Sequence, residues 1–193
     1  MKRIAVCFLL LPLLLTACGQ AKSEGKNIQD QYAGLHSAQM EADTVAHLAK
    51  EDRAFTLQCT YDSQQGATTT IIAPDDLKGI SATIGNDGLR VSYQGTALSS
   101  GDLETVCPAN CLPWLLESLA HGYLQSEGTE SMDGVDCRCL TTETTAANGT
   151  KVVCTAWLDQ NTLIPRYAEF LVGEKVVVSL VMNSFSCTMR EGE

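Results

Sequence analysis

The sequence is poor in basic residues. It has 13 lysines and arginines against 23 aspartates and glutamates among 193 residues, and its net charge is −10 at pH 7. Nucleic-acid binding depends on clustered lysine and arginine that neutralise phosphates, so this balance argues against a nucleic-acid partner. The same shortage disfavours a polybasic contact with anionic lipid. We therefore expect neither kind of electrostatic partner.

The sequence also lacks an apolar run long enough to span a bilayer. Met1, Lys2 and Arg3 are followed by a nearly continuous apolar stretch that ends at Ala17. About 20 apolar residues are needed to cross a membrane, and this stretch is shorter. A positive start, a short apolar core and a small residue at the cleavage position are typical of a secretory leader. Residues 1–17 are therefore predicted to be a removable signal peptide.

Familiar catalytic motifs are missing as well. The sequence has no Gly-x-Ser-x-Gly, no phosphate-binding loop and no Cys-x-x-Cys. Its three histidines, His36, His47 and His121, fall on predicted helices without a zinc-binding spacing, which favours surface or capping roles. We therefore expect a protein that is not an enzyme and that holds no cofactor and no metal.

Residues 15–18, Leu-Thr-Ala-Cys, resemble the lipobox of bacterial lipoproteins. The resemblance implies that the leader is cut before Cys18, which then carries diacylglycerol and often a further fatty acid such as palmitate. Two acyl chains suffice for stable membrane anchoring. The alternative is an ordinary signal peptide with an incidental cysteine. We expect a lipidated Cys18, a flexible tether over residues 18–27, and a location on the extracytoplasmic face of the cell membrane.

Residues 28–193 are predicted to form one domain. Apolar positions recur every three or four residues from Ile28 to Lys50, which predicts a first helix, and again from Leu112 to Leu124, which predicts a second. Strand-like patterns occur at residues 55–61, 67–73, 80–84, 89–93, 135–142, 151–158, 166–172 and 175–185. The expected fold class is α+β, a curved antiparallel sheet with helices packed on its concave face.

Two segments resemble LolA-like lipoprotein-carrier domains. One is Ala-Pro-Asp-Asp-Leu-Lys-Gly-Ile at residues 73–80 with the strand at 89–93, and the other is Trp-Leu-Asp-Gln-Asn-Thr-Leu-Ile-Pro-Arg-Tyr-Ala-Glu at residues 157–169. The resemblance implies the half-barrel shared by LolA-like, LolB-like and RseB-like proteins. LolA itself is a soluble shuttle, whereas this chain is predicted to be anchored through Cys18. Shuttling between membranes is therefore not implied.

The resemblance and the apolar pattern together predict an apolar ligand, a lipid or the acyl chains of a lipoprotein, in the cleft between sheet and helices. The predicted lining is Phe55, Leu57, Leu89, Val91, Leu115, Leu116, Leu119, Val178 and Leu180. The same side chains fit a closed core equally well. Two other classes stay open, an envelope protein-interaction or sensory module without a ligand, and a metal or thiol protein.

The metal or thiol alternative rests on seven cysteines beyond the leader and Cys18: Cys59, Cys107, Cys111, Cys137, Cys139, Cys154 and Cys187. Disulfides are the default in an exported chain, but an odd number leaves at least one thiol over. Cys137 and Cys139 share a strand face, near the upper limit of disulfide geometry. A zinc site that joins these two to Cys107 and Cys111 lacks the usual ligand spacing. The expected role of the cysteines is structural.

Overall fold

The computed structural model describes residues 23–85, 88–101 and 105–190. The described helices are α1 (Glu24–Ala33) and α2 (Cys111–His121). The strands are β1 (Leu35–His47), β2 (Asp52–Asp62), β3 (Gly66–Ala73), β4 (Ile80–Gly85), β5 (Gly88–Tyr93), β6 (Thr96–Gly101), β7 (Tyr123–Met132), β8 (Val135–Thr145), β9 (Lys151–Asp159), β10 (Pro165–Val172) and β11 (Lys175–Met189). Cys18 and the leader lie outside the described residues. Within them, no helix has the length and apolar character needed to span a membrane.

All the strands belong to one open antiparallel sheet. Its order is β6-β5-β4-β3-β2-β1-β11-β10-β9-β8-β7. Successive strands pair as hairpins on each side, and the pairing of β1 with β11 joins the two halves at the centre. The expected α+β class and the antiparallel sheet with helices against it are confirmed.

The first helix ends much earlier than its sequence pattern predicts. It ends at Ala33 with Gly34 as its C-cap, whose backbone N–H donates to the carbonyls of Asp30 and Gln31 and satisfies the last turn. Residues 35–47 then form β1, so the prediction of a helix as far as Lys50 is wrong. From Ala38 onward buried residues alternate along β1, and pairing with β2 and β11 on both sides outweighs its Ala, Met and Glu content. Residues 24–27, assigned to the tether from the sequence, also lie in α1.

The strand predictions are correct but incomplete. All eight predicted strands are present, and β1, β6 and β7 are additional. The outermost strands, β6 and β7, were missed, and β7 carries no buried alternation because it is exposed along nearly its whole length. His36 and His47, predicted on a helix, lie on β1, whereas His121 is the last residue of α2.

The second helix is confirmed, with a slightly earlier end. It spans Cys111–His121, and residues 123 and 124 already belong to β7. Its apolar side packs into the core together with α1. The buried apolar residues of α2 are Leu112, Leu115, Leu116 and Leu119. These side chains cover one part of the sheet face against which α2 packs, and they leave another part less covered.

The turn between β9 and β10 shows why the Asp-x-x-Thr-x-x-Pro motif forms a hairpin. The Asp159 Oδ1 atom accepts from the backbone N–H groups of Asn161 and Thr162 at 3.1 and 3.0 Å and from the Thr162 hydroxyl at 3.0 Å. These hydrogen bonds lower the pKa of the Asp159 carboxyl. Pro165 then begins β10. The motif is therefore a self-capped turn that fixes the hairpin.

Candidate ligand-binding face

We call the side of the sheet that packs against α1 and α2 the inner face. Strand register assigns residues to it, because directly paired residues share a face. Buried Met40 pairs with Cys59, and Ala42 pairs with Leu57. Across β11, Thr44 pairs with Leu180. The centre of the inner face is therefore made of β2, β1 and β11.

Six of the nine predicted lining residues lie in the closed core under the helices. Leu57, Val178 and Leu180 come from the sheet and are at most 1% exposed. The other three come from α2, where Leu115, Leu116 and Leu119 are also buried. We call this region the covered inner face. Its side chains are packed against one another.

Two of the remaining predicted residues, Leu89 and Val91, lie toward the β6 end of the sheet, where the inner face is less covered. Leu57 pairs with Ile71, Thr69 with Ala82, and Ala82 with Val91, so the inner face continues through β3, β4 and β5. The half-buried apolar side chains there are Ile71, Ile80, Ile84, Leu89 and Val91. We call these five residues the open inner face. Phe55, also half-buried, packs at the margin of the core.

Helix α2 forms the boundary between the two regions. It packs against β8, β9 and β2. Trp114 fixes its orientation, since the indole Nε1–H donates to the Thr144 hydroxyl at 2.8 Å. The preceding loop is held by Asn110, whose side-chain oxygen accepts from the Cys107 N–H at 2.7 Å and whose amide donates to the Thr105 carbonyl at 3.0 Å. The start of α2 is thus tied down by polar contacts as well as by packing.

Three buried thiols, Cys59, Cys111 and Cys154, lie in the core. Burial raises the pKa of Cys59 to about 11 and that of Cys154 to about 12, so both are protonated near neutral pH. All seven cysteines of the described residues are free thiols, and the disulfide alternative gains no support. Such protonated thiols act as small apolar side chains rather than nucleophiles.

The four-sulfur zinc alternative is wrong. Cys107 and Cys111 lie at the start of α2, on the inner side of the sheet. Cys137 and Cys139 point from β8 to the opposite side, since they pair with Asp159 and Trp157. Sulfurs on opposite faces of a sheet cannot ligate one ion. Among the described residues no group of three potential ligands could hold a metal.

The side of the sheet away from the helices carries a concave site that sequence reasoning missed. This outer groove encloses about 340 Å³ and is lined by Val45, Ala54, Pro74, Tyr167, Ser179 and Val181, among others. A second concavity of about 440 Å³ shares Tyr167 and Val181 with it. The groove was missed because residues 35–47 were assigned to a helix. Alternating exposed positions of β1 were the available signal.

Solved structures with the same architecture come from several bacteria. An uncharacterized conserved protein from Thermus thermophilus is 12% identical, with a TM-score of 0.50 over 86% of this chain and 88% of that chain. A LolA superfamily protein from Nitrosomonas europaea is 14% identical, with a TM-score of 0.42 over 88% and 94% of the two chains. The lipoprotein LppX from Mycobacterium tuberculosis is 16% identical, with a TM-score of 0.42 over 81% and 91%.

At this level of identity the similarity is one of fold. No protein-family model and no curated relative matches the sequence. The LolA-like domain inferred from residues 73–80 and 157–169 is confirmed as a fold. What the domain binds must be argued from its own residues.

Proposed function

We propose that this chain is a lipid-anchored extracytoplasmic binding protein that holds an apolar ligand, a lipid or acyl chain, against the open inner face beside α2. The observation that carries the proposal is the contrast along one face of one sheet. Leu57, Val178 and Leu180 are sealed by the helices, whereas Leu89 and Val91 on the same face are half-buried. Partly covered apolar side chains next to a packed core offer favourable burial to an apolar ligand.

The chemistry of this face suits a hydrocarbon rather than a charged ligand. Its five side chains are aliphatic, and Ala82 in their midst is buried. Burial of apolar surface contributes about 25 cal/mol per Å², so an acyl chain laid along three strands gains without requiring a polar partner. Helix α2 provides the adjoining wall. A ligand that reached the six sealed lining residues would require α2 to move away from β8 and β9.

The lipid anchor would keep this face close to the membrane. Helix α1 begins at Glu24, and the Ser23 hydroxyl caps it by accepting from the Lys26 N–H at 3.2 Å. A chain extends at most about 3.6 Å per residue, so the five steps from Cys18 to Ser23 reach about 18 Å. The tether is therefore shorter than the sequence pattern alone predicts. Such a short connection favours exchange of ligand with the anchoring membrane over transport across the envelope.

Ligand binding can be measured with the full-length protein in detergent and 11-(dansylamino)undecanoic acid as a fluorescent acyl probe. We expect saturable binding by the wild type and clear weakening in Leu89→Asp, because a carboxylate on this face opposes hydrocarbon. Leu48→Asp is the matched control, since Leu48 is an exposed leucine, 53% accessible, outside the site. Equal binding by the two variants, or no binding by the wild type, would contradict the proposed ligand site.

The anchor is tested separately. Cys18→Ser should lose radiolabelled palmitate incorporation and leave the membrane fraction, or accumulate with its leader uncleaved. Cys7→Ser lies inside the predicted leader and serves as the control that should retain both properties. Unchanged acyl labelling of Cys18→Ser would refute the lipoprotein assignment and leave the ligand proposal standing.

Protein binding is a second candidate function, favoured by the edge strand β7. It is 10 residues long, lies at the end of the sheet and is exposed along most of its length. An edge strand presents unpaired backbone groups to which an extended segment can add as a further strand. Proline substitution at Thr129 should then abolish capture of a partner while probe binding at Leu89 persists.

A further inference from the structure

The outer face carries a hydrogen-bonded aspartate, histidine and serine in one line. The Asp52 Oδ2 atom lies 3.1 Å from Nδ1 of His47, and Nε2 of His47 lies 3.0 Å from the Ser179 hydroxyl oxygen. The carboxylate thus faces one ring nitrogen and the hydroxyl faces the other. This is the atom order of serine–histidine–aspartate triads, which recur on unrelated folds and are recognised by geometry.

Three neighbouring strands set this arrangement. Asp52 on β2 pairs directly with His47 on β1, and Val45 on β1 pairs with Ser179 on β11. Alternation along β1 points His47 to the same side as Val45. All three polar residues therefore lie on the outer face of the central strands, with Asp52 and His47 forming the last pair at the β1–β2 end. A site built on such elements is more rigid than one built on loops.

Ser179 opens into the outer groove although the residue is only 9% exposed. We propose that the outer groove is a hydrolytic site for neutral esters with an apolar acyl group, with Ser179 as nucleophile, His47 as general base and Asp52 orienting His47. This inference goes beyond the proposed binding function and does not depend on it. It differs from the sequence-based expectation of a protein that is not an enzyme.

Tyr167 provides a hydroxyl donor beside the nucleophile. It lines the same groove, and its hydroxyl lies 2.7 Å from Oε1 of Glu169, the residue of β10 that pairs with Ser179. Burial, followed by the hydrogen bond to Glu169, raises the pKa of Tyr167 to about 12. The hydroxyl therefore keeps its proton at neutral pH. That single proton is donated to Glu169, so Tyr167 can donate to an oxyanion on the substrate carbonyl only after its hydroxyl turns from this carboxylate.

The groove lining specifies the class of substrate. Val45, Ala54, Pro74 and Val181 surround it with apolar surface, and its volume of about 340 Å³ is within the range of small-molecule sites. Asp43 also lines the groove, and its carboxylate disfavours an anionic substrate. A neutral ester with a short acyl chain meets both conditions.

The reaction follows from these positions. The Ser179 oxygen forms a bond to the ester carbonyl carbon as its proton passes to Nε2 of His47, and the carbonyl oxygen becomes an oxyanion. The carbon–oxygen bond to the alcohol then breaks, and His47 returns the proton to the leaving alkoxide. Water attacks the carbonyl carbon of the acyl-serine and gives a proton to His47. The bond between that carbon and the Ser179 oxygen then breaks, and His47 returns the proton to Ser179. The net reaction converts ester and water into acid and alcohol, with Asp52 orienting His47 throughout.

The experiment uses full-length protein in detergent, with p-nitrophenyl butyrate as substrate and a fluorophosphonate as a covalent serine probe. Wild type should hydrolyse the ester and bind the probe at Ser179 with release of fluoride. Ser179→Ala should lose both, and His47→Gln should lower the rate about 10²–10⁴-fold through loss of the general base. Asp52→Asn, at an exposed position, should lower the rate less and leave the melting temperature unchanged.

Two matched controls separate catalysis from general effects. Ser186→Ala removes a second serine of β11, which is exposed and lies outside this groove. His36→Gln removes the other histidine of β1, which also lies against a serine, with 3.4 Å between Nδ1 and the Ser63 oxygen. Both controls should retain wild-type hydrolysis. Probe attachment that persists in Ser179→Ala, a His36→Gln defect equal to that of His47→Gln, or a wild type inert to both reagents would each overturn the proposal.

Discussion

The covered and open parts of the inner face differ although one sheet forms both. Strands β1, β2 and β11 place Met40, Leu57 and Leu180 under the helices with exposures of at most 1%. Strands β4 and β5 continue the same register and the same apolar alternation, yet Leu89 and Val91 are only half-buried. The difference arises from what packs on the sheet and not from the strands. A helix that ends over part of a sheet produces both a core and a binding face from one pattern.

The largest expected effect comes from truncation inside the covered inner face. Leu119→Ala should lower the free energy of unfolding by about 2–5 kcal/mol, because it removes buried methyl groups and leaves a cavity between α2 and the sheet. Leu89→Ala should cost distinctly less, since its side chain is already half-exposed. Urea denaturation of both variants measures the difference. Equal losses would show that the two parts of the face are packed alike.

This contrast also marks what the sequence could predict. Helix α2 has four leucines at helical spacing, with Pro113 in its first turn and Gly122 after its end. The apolar pattern and the residues at the two ends therefore predict the same helix. The hairpins joining β8 to β9 and β10 to β11 carry turn residues such as Asn148, Gly149 and Gly173 between alternating strands. Local sequence signals of this kind predict the structure correctly because no tertiary contact opposes them.

The prediction of the first helix as far as Lys50 was wrong for the opposite reason. The pattern from Ile28 to Lys50 satisfies a helical period if Met40 is ignored, and alanine and glutamate favour helix. Gly34 and the alternation of Ala38, Met40 and Ala42 favour a strand, and pairing on both edges decides the outcome. The pairing with β11 joins residues more than a hundred positions apart, so no local window contains it. The error displaced His47 to a helix and hid its contacts with Asp52 and Ser179.

Tryptophan substitutions test the same difference between the covered and the open inner face, with a smaller expected change in stability. Leu119→Trp should cost about 1–3 kcal/mol from overpacking in the covered inner face. Leu89→Trp should change stability little but obstruct the acyl probe, since the added ring has room on the open side. Thermal melting and dansyl-fatty-acid titration are measured on both variants. If α2 is a lid over a deeper cavity, Leu119→Trp also blocks the probe; if the covered inner face is core alone, it does not.

The sequence predicted the apolar residues of the candidate ligand site, but it did not predict which of them the helices leave uncovered. Apolar positions such as Leu57 and Leu89 are equivalent in the sequence, because both alternate with polar residues on short strands. Only the placement of α2 over β2, β8 and β9 distinguishes them. Helix position depends on the connections and on contacts such as Trp114 to Thr144. A sequence pattern therefore identifies inward-facing residues but does not tell which of them a helix covers.

The smallest effect per pH unit concerns the thiols of the covered inner face. Folded Cys59 and Cys154 have pKa values raised to about 11 and about 12 by burial, against about 9 in the unfolded chain. Their protonated state therefore stabilises the fold fully below pH 9, and this contribution is lost as the pH rises toward 11 and 12. Each thiol should lower the free energy of unfolding by about 1.4 kcal/mol per pH unit at most above pH 9. Cys154→Ala should flatten this slope in urea titrations, and Cys187→Ser, at an exposed position where burial raises the pKa only in part, should flatten it less. A slope in Cys154→Ala equal to that of the wild type would show that Cys154 contributes nothing to the alkaline sensitivity.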